Sequence, residues 1–563
     1  MTKGLTRGQI IGAMFGAGVV FYVVNRAVEH VQQGIDAGTA YDQLIPTFWT
    51  ALKDHWVHIS TAQPALLGGL AGVVLLVLCI AYALSTRRIT RIGEEQGSAQ
   101  WARSGDMSRK MRGTAGQQLR LTATESLSTD SYTTKRNCNV LVVGSSGTGK
   151  TRSYVMPNME QLEASLAITD PKGEILKAMR PILEERGYTI RVLNLIDLQQ
   201  SMNFNPMRYF NAAEPETGVA QLTECIIANT SGKKAAGGDQ FWERAERALL
   251  TALIAYVWAT TVEDGDSEPN LPRVLELHKG MGGSEESKDE RSSGTDIAFQ
   301  AAREVVAEWH KNPDSGDDPQ VMKVLDFACR QYAVYEQGPV ETRMSVVISL
   351  GVRLAPIDMH DVRNILSTDN IALDRLGWEK TALFLAIPDT HQTFRFVAAM
   401  FWQTLFEHTI YQADHEKAGT LPRMLHCLLD EFPNLGMIPG FERLMATIRS
   451  RGISASIIVQ NFTQGQALFK EDWPGIVANC DTKLFLGGDD QATAEWISKR
   501  LGEETIVPDE TSQTYGANGS YSRSRRPMKR ALLDPAEVAK LDDDDCILMI
   551  RGLDPYRSRK IGR

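Results

Sequence analysis

The segment Asn139–Thr151 (NVLVVGSSGTGKT) has the residue types and spacing of a site that binds phosphate. It fits the pattern G-x-x-x-x-G-K-[ST], in which a glycine-rich loop turns its backbone N–H groups toward an anion. A helix that starts at the loop adds its positive N-terminal end to this attraction. The residues expected to surround nucleotide phosphates are Gly144, Ser145, Ser146, Gly147, Thr148, Gly149, Lys150 and Thr151.

Two residues of this loop have distinct expected roles. Lys150 would contact the β- and γ-phosphates, and the Thr151 hydroxyl would hold Mg²⁺, so ATP and Mg²⁺ are the predicted cofactors. The apolar run Val140–Val143 before the loop predicts a buried strand. Pro157 should kink or shorten the helix that follows. This context disfavours the alternative of a glycine turn that binds nothing.

A second motif is the acidic pair Asp430 and Glu431, which directly follows another apolar run, Leu425–Leu429. In nucleotide-hydrolysing proteins an acid at this position orients Mg²⁺ or its waters, and a neighbouring acid polarises the attacking water. We therefore expect Asp430 to be a magnesium ligand and Glu431 to be catalytic. An apolar strand followed by Asp-Glu is a weak signal alone, but it becomes specific beside a phosphate loop.

Three further polar residues flank the predicted strand Ile453–Val459. Gln460 ends this strand and is placed to sense the γ-phosphate. Arg449 and Arg451 precede the strand, and in ring ATPases an arginine of one subunit completes the site of its neighbour. A solvated surface charge remains open for both arginines, more so for Arg451.

The run Ser165–Glu174 predicts a strand that ends in charged and turn residues. Ligands of α/β sheets bind at the carboxyl ends of the strands, so Asp170 and Lys172 could lie near the nucleotide. A turn with a helix cap explains the same two residues equally well.

Composition limits the function of the 563-residue chain. At 43% hydrophobic and 23% charged residues it is typical of a globular protein with a core, and its length predicts more than one domain. With a net charge of −9, any DNA contact must come from local patches. Seven scattered cysteines without C-x-x-C fit a reducing compartment and argue against structural zinc.

Two uncharged runs near the N-terminus predict transmembrane helices at about residues 10–26 and 65–84, within an anchor of residues 1–91. Basic residues precede the first run and follow the second. Because positive charge favours the cytoplasmic side, both termini are predicted in the cytoplasm and residues 25–64 on the opposite side of the membrane. These flanking residues are Lys3, Arg7, Arg87, Arg88 and Arg91. A signal peptide is the alternative for the first run, but no A-x-A-like cleavage site follows it.

The remaining chain alternates strand-like and helix-like patterns, which predicts an α/β fold with an inserted helical block. We expect residues 92–210 and 359–563 to form two parts of one nucleotide-binding domain, and residues 211–358 to form an all-α domain between them. The segment Lys279–Thr295 reads as a loop or disordered insert. The basic segment Thr511–Arg530 reads as a solvated loop or as a contact for single-stranded DNA.

Taken together, these motifs resemble the coupling proteins of type IV secretion and conjugation, the TraG/TraD-like family. The resemblance spans most of the chain and includes GSAQWA, AITDPKGE, SMNFNP, LLDEFPNLG, IRSRGIS and ILMIRGLDPYR in order. It implies a RecA-like, hexameric motor in the inner (cytoplasmic) membrane that passes relaxase–DNA or protein substrates to the secretion channel with ATP. The implied partners are DNA, single-stranded and bound without sequence preference, the relaxase or relaxosome, and inner-membrane components of the channel.

The same resemblance assigns roles to residues by position. It implies that Lys150 and Thr151 bind phosphate and Mg²⁺, that Asp430 and Glu431 are the metal-binding and water-activating acids, and that Gln460 is a sensor. It also implies that Arg449 acts in the neighbouring subunit and that the all-α domain recognises substrates. The chain departs from the family in the insert at residues 279–295 and in lacking a long tail after the last strand.

Two other functions are compatible with these motifs. One is a DNA pump of the FtsK type, although such pumps usually have more spans and a DNA-reading winged helix. The other is a membrane scaffold that binds ATP without hydrolysing it, against which the intact Glu431 argues.

Overall fold

The computed structural model describes residues 7–54, 56–85, 94–103, 107, 111–230, 239–264, 268–282, 293–313, 316–514 and 520–562. The chain divides after Glu95 into two compact units, a small N-terminal one and a large one that begins at Gln96. The large unit contains all of the predicted site residues.

The strands are β1 (Gln118–Arg120), β2 (Ser126–Ser128), β3 (Val140–Val143), β4 (Ser165–Asp170), β5 (Thr189–Asn194), β6 (Thr381–Ala386), β7 (Leu425–Leu429), β8 (Ile453–Val459), β9 (Thr482–Phe485), β10 (Glu503–Ile506), β11 (Asp509–Thr514), β12 (Ser520–Arg525), β13 (Met528–Ala531), β14 (Asp545–Ile550) and β15 (Tyr556–Arg559).

The α-helices are α1 (Arg7–Asp36), α2 (Tyr41–Asp54), α3 (Gln63–Ser85), α4 (Ser131–Thr134), α5 (Met156–Gln161), α6 (Glu174–Glu185), α7 (Pro215–Thr230), α8 (Asp239–Asp264), α9 (Leu271–Lys279), α10 (Gly294–Lys311), α11 (Pro319–Glu336), α12 (Val340–Leu354), α13 (His360–Ser367), α14 (Arg395–His415), α15 (Phe441–Thr447), α16 (Phe462–Phe469), α17 (Trp473–Ala478), α18 (Gln491–Leu501) and α19 (Pro535–Ala539).

Nine strands form the central sheet in the order β15-β14-β9-β3-β8-β7-β4-β6-β5. The strands from β9 to β5 are parallel, and β14 and β15 add an antiparallel edge. Every residue of β3, β4, β6, β7 and β8 is buried, as expected for parallel strands with both faces covered. The predicted α/β fold around the phosphate loop is confirmed.

The two faces of the sheet bury separate apolar clusters. Helices α5 and α6 cover one face, where Tyr154, Met159 and Met179 pack on the outward residues of β3 and β4. The other cluster includes Phe401 and Trp402 of α14 and extends without interruption into the helical segment between β5 and β6. In the described part of that segment, which runs from α7 to α13, the chain is helical and has no strand. The domain boundaries at 211 and 358 remain a prediction.

Of the two interpretations of the basic segment at residues 511–530, the solvated loop is wrong, because most of the segment is strand; the contact with single-stranded DNA stays a prediction. Strands β11 and β12 form an antiparallel hairpin, and β13 pairs with β10. Arg523 and Arg525 both pair with Asp509, so part of the positive charge is neutralised within the hairpin. The prediction was wrong because both hairpin strands are polar throughout and show no apolar alternation. Residues 515–519 lie outside the described residues, as do residues 283–292 of the predicted insert.

In the N-terminal unit, α1 packs on α3, where Gly68, Gly69 and Gly72 leave room for Val28, Phe21 and Val24. Within the described part of the chain one helix is long and apolar enough to cross a membrane, at Gln63–Tyr82. The first predicted span is not confirmed, since α1 continues through the polar residues Arg26 and Glu29. The stretch expected outside the membrane, residues 25–64, contains the helix α2 rather than loop alone.

Candidate nucleotide-binding site

The phosphate loop connects β3 to the helix that begins at Thr151. Gly147 and Gly149 have φ of 83° and 89°, values that favour glycine and let the backbone curl. The Lys150 ammonium donates hydrogen bonds to the carbonyl oxygens of Gly144, at 2.8 Å, and Ser145, at 3.2 Å. Burial lowers the pKa of Lys150, and the nearby charges of Asp430 and Glu431 counteract this shift.

The helix after the loop begins with a π-helical turn, Thr151–Val155, and continues as α5. The Met156 N–H donates to the Thr151 carbonyl across five residues. Pro157 lies directly after this turn, as the second residue of α5. The proline therefore does not end the helix but coincides with a change of helical pitch, and single π turns are frequent at functional sites.

A hydrogen bond joins the two predicted motifs. The Thr151 hydroxyl donates to Asp430 Oδ2 at 2.9 Å, although the two residues are 279 positions apart. They meet because β3, β8 and β7 are neighbouring parallel strands whose carboxyl ends share one edge of the sheet. Asp430 is 3% exposed, and burial raises its pKa while the Thr151 hydrogen bond opposes the rise. A hydroxyl and a carboxylate are hard oxygen ligands that fit Mg²⁺.

Glu431 has a strained backbone and a carboxylate held from two sides. Its φ is 49° and its ψ 47°, a left-handed conformation that is costly outside glycine and clusters at functional sites. Gln460 Nε2 donates to its Oε1 at 3.2 Å, and Asn434 Nδ2 donates to its Oε2 at 2.8 Å. Sequence reasoning missed Asn434, although it lies in the motif LLDEFPNLG, three residues after Glu431.

Asp170 and Lys172 line the same cavity of about 360 Å³ as the phosphate loop and the acidic pair. Asp170 also accepts a hydrogen bond from the Leu176 N–H at 2.8 Å, near the start of α6. Lys172 forms an ion pair with Asp389 at 3.7 Å. Both alternatives for Asp170 therefore hold at once: it supports a helix start and faces the nucleotide cavity.

The two candidate arginines lie apart from this cavity and differ from each other. The exposed Arg449 donates from Nη2 to the Ser131 carbonyl at 2.8 Å. Arg451 forms a two-pronged bond to Asp414, at 2.7 and 2.8 Å. Neither arginine lines the nucleotide cavity of its own chain. The structure thus gathers Lys150, Thr151 and the residues around Glu431, and leaves both arginines outside.

Comparison with known proteins places this site in a family context. The family described as "Type IV secretory system Conjugative DNA transfer" matches residues 100–562. The probable conjugal transfer protein TraG of Sinorhizobium fredii (strain NBRC 101917 / NGR234) is 23% identical over 428 residues, 74% of this chain and 60% of TraG. The protein VirD4 of Rhizobium rhizogenes is 21% identical over 514 residues, 90% of this chain and 71% of VirD4. The chain thus spans about three fifths of the TraG relative.

Solved structures of the plasmid coupling protein TrwB have the same fold. The complex of TrwB with the ATP analogue ADPNP has a TM-score of 0.58 at 15% identity and covers 84% of this chain and 95% of TrwB. The complex of TrwB with ADP and Mg²⁺ has a TM-score of 0.53 at 15% identity and covers 83% and 94%. At this identity the similarity establishes the fold of the large unit.

Proposed function

The chain belongs to the type IV secretory family of conjugative DNA transfer proteins, and on this premise we propose that it is a membrane-anchored, ATP-hydrolysing coupling protein. It recruits relaxase–DNA complexes or protein substrates and delivers them to a type IV secretion channel. The hydrogen bond between Thr151 and Asp430 carries the catalytic part of this proposal, since it brings the phosphate loop and the acidic pair into one site.

Each residue of the site has a role that its contacts support. The loop residues Gly144–Thr151 bind the phosphates, with Lys150 as the cation beside them. Thr151 and Asp430 hold Mg²⁺, which offsets the phosphate charge when bound. Glu431 takes the proton of the attacking water, because two neutral amides orient its oxygens without forming an ion pair with them.

The TrwB complexes with ADPNP and with ADP and Mg²⁺ support ATP and Mg²⁺ as the ligands of this chain. The residues present are consistent with that assignment. The cavity around the phosphate loop measures about 360 Å³ and is lined by the loop, the acidic pair, Asp170 and Lys172. This volume lies within the range of small-molecule sites.

We further propose that the active form is a homo-hexamer in which Arg449 completes the site of the next subunit. Arg449 is exposed, and its guanidinium donates to one backbone carbonyl, that of Ser131. It can therefore exchange this hydrogen bond for a contact with a neighbouring subunit at a small cost in free energy. Arg451 is tied to Asp414 and has a structural role instead. The proposal therefore gives the role in the neighbouring subunit to Arg449, one of the two arginines that the sequence leaves open.

The substrate and membrane parts of the proposal rest on the family. DNA, bound as a single strand without sequence preference, and the relaxase are the substrates, and the all-α domain 211–358 recognises them. Inner-membrane components of the channel receive them. The anchor crosses the inner membrane twice with both termini in the cytoplasm; the packing of α1 on the glycines of α3 supports a helical pair there.

Steady-state ATP hydrolysis by the purified protein, with ATP binding measured in parallel, tests the motor. We expect Glu431→Gln to bind ATP normally and to lose hydrolysis by a factor of about 100 or more. The matched control Glu495→Gln, on the exposed face of α18, should retain full activity. Hydrolysis that Glu431→Gln leaves unchanged would contradict the assigned base, and a wild-type protein that binds ATP without turnover would favour the scaffold.

A further inference from the structure

A second cavity, of about 340 Å³, lies between α7 and α14 and shares no lining residue with the nucleotide cavity. Its volume is that of a small-molecule site. Aromatic and aliphatic side chains form much of its wall: Tyr209, Phe210, Leu222, Met400, Ile410 and Tyr411. The proposed motor makes no use of this space.

The charged residues of this cavity are all acidic. Glu214, Glu407 and Asp414 line it, and no lysine or arginine lines it among the residues that the structure describes. Arg451 neutralises Asp414 through its two-pronged bond. Over the same described ranges, no ion pair to Glu214 or Glu407 is found. The cavity therefore has an excess of negative charge.

Two acceptors at this cavity lack hydrogen-bond partners among the residues that the structure describes. Gln403 is 4% exposed; its Nε2 donates to Glu407 Oε1 at 3.0 Å, while its Oε1 has no partner. His408 Nε2 is also buried without a partner. Burial lowers the pKa of His408 to about 4, so the ring is neutral at pH 7. The ring forms a hydrogen bond with the Tyr209 backbone. Buried acceptors of this kind are unfavourable unless something donates to them.

We propose that this cavity binds a small organic cation, an ammonium or guanidinium group on an apolar stem. Glu407 is the counter-ion and Gln403 Oε1 accepts a hydrogen bond from the ligand. Tyr209 and Phe210 contact the apolar stem, and the preference for a cation over a neutral group comes from Glu407. The negative charge excludes nucleotides and DNA, so the site is distinct from those of the proposed motor.

Protonation of Glu407 makes binding dependent on pH. Burial raises the pKa of this carboxyl to about 7, and the Gln403 hydrogen bond opposes the rise. The titratable groups that face it are Glu214 and Cys225 on the α7 side, Tyr209, and His408, Tyr411 and Asp414 of α14. His408 is neutral throughout pH 6–8, and burial raises the pKa of Cys225 and Tyr209. A cation binds the ionised carboxyl, so affinity should rise about tenfold from pH 6 to pH 8.

Isothermal titration calorimetry of the full-length protein in detergent tests this site with two probes of equal shape. Butylguanidinium carries the charge, and butylurea is its neutral counterpart. We expect one butylguanidinium to bind per chain, at least tenfold more tightly than butylurea, and more tightly at pH 8 than at pH 6. Equal binding of the two probes, or no binding of butylguanidinium, would overturn the proposal.

Variants locate the site. Glu407→Gln should weaken butylguanidinium binding at least tenfold and remove its dependence on pH, whereas the control Glu495→Gln should change neither. Unchanged affinity in a folded Glu407→Gln would overturn the assignment. If this variant does not fold, Glu214→Gln at the exposed mouth decides: a loss of threefold or more supports the site, and no loss overturns it.

The cation can come from a free metabolite or from a side chain of a docked protein. A capped Gly-Arg-Gly peptide, titrated in the same way, distinguishes the two sources. Binding as tight as that of butylguanidinium supports a protein side chain, and binding at least tenfold weaker supports a free cation. The calorimetry uses no ATP, so its outcome is independent of whether the proposed motor is correct.

Discussion

The carboxyl edge of the sheet and the arginine turn at residues 448–451 differ in how many of their functional groups have partners within the chain. At the edge, Thr151, Asp430 and Glu431 are joined by hydrogen bonds within one chain. At the turn, the exposed Arg449 donates a hydrogen bond to the Ser131 carbonyl of its own chain and does not line the nucleotide cavity. The edge is therefore a nearly complete nucleotide site, whereas the turn presents a cation that lacks a catalytic partner. This difference motivates the proposal that one chain binds the nucleotide and that turnover needs the arginine of a second.

The largest loss of activity should come from a substitution in the nucleotide site at the carboxyl edge of the sheet. Lys150→Ala removes the cation of the phosphate loop, so ATP hydrolysis and plasmid transfer between cells should fall to background while the protein stays folded in the membrane. The matched control is Lys499→Ala on the exposed face of α18, which should retain both. Unimpaired transfer by Lys150→Ala would refute the motor.

The next largest effect tests whether the turn serves a neighbour. Arg449→Ala should lower the turnover rate of the assembled protein by about 10³-fold, the lower end for an arginine acting in trans. Mixing it with Glu431→Gln subunits should restore part of the activity, because each variant supplies the group that the other lacks. No restoration in mixed assemblies would make Arg449 a surface charge or a residue that acts in its own subunit.

A smaller loss of turnover is expected from Asn434, which orients the Glu431 carboxylate at the carboxyl edge of the sheet. Asn434→Ala removes one of the two amides that orient Glu431, so the turnover rate should fall by about 10- to 100-fold with little change in KM. Asn434→Asp is a more severe test because it places a second negative charge beside the carboxylate. A change in KM alone would show that Asn434 affects ATP binding and not the position of the base.

The smallest effect concerns Arg451, the structural arginine of the turn. Arg451→Ala removes the bond to Asp414 at a partly exposed position, so the free energy of unfolding should fall by about 1 kcal/mol or less. Denaturant unfolding of the large unit measures this change, and ATP hydrolysis should remain close to wild type. A loss of activity as large as that of Arg449→Ala would reverse the roles of the two arginines.

Sequence reasoning located the strands that carry the site because they are short apolar runs that end in chemistry-bearing residues. The runs at Val140–Val143, Leu425–Leu429 and Ile453–Val459 match the observed strands residue for residue. The family predicted from the motifs is confirmed. The hairpin of β11 and β12 was missed, since its polar strands have cross-strand partners that no local pattern records.

The sequence by itself determined that a phosphate loop, an Asp-Glu pair and a following glutamine exist, because glycine spacing and apolar runs are local properties of the chain. Only the tertiary structure decided which groups meet. The order β3-β8-β7 brings Thr151 to Asp430, and the left-handed backbone at Glu431 turns its carboxylate toward Asn434 and Gln460. The structure also distinguished Arg449 from Arg451, because an ion pair to Asp414 depends on a contact 37 residues away that a single sequence does not reveal.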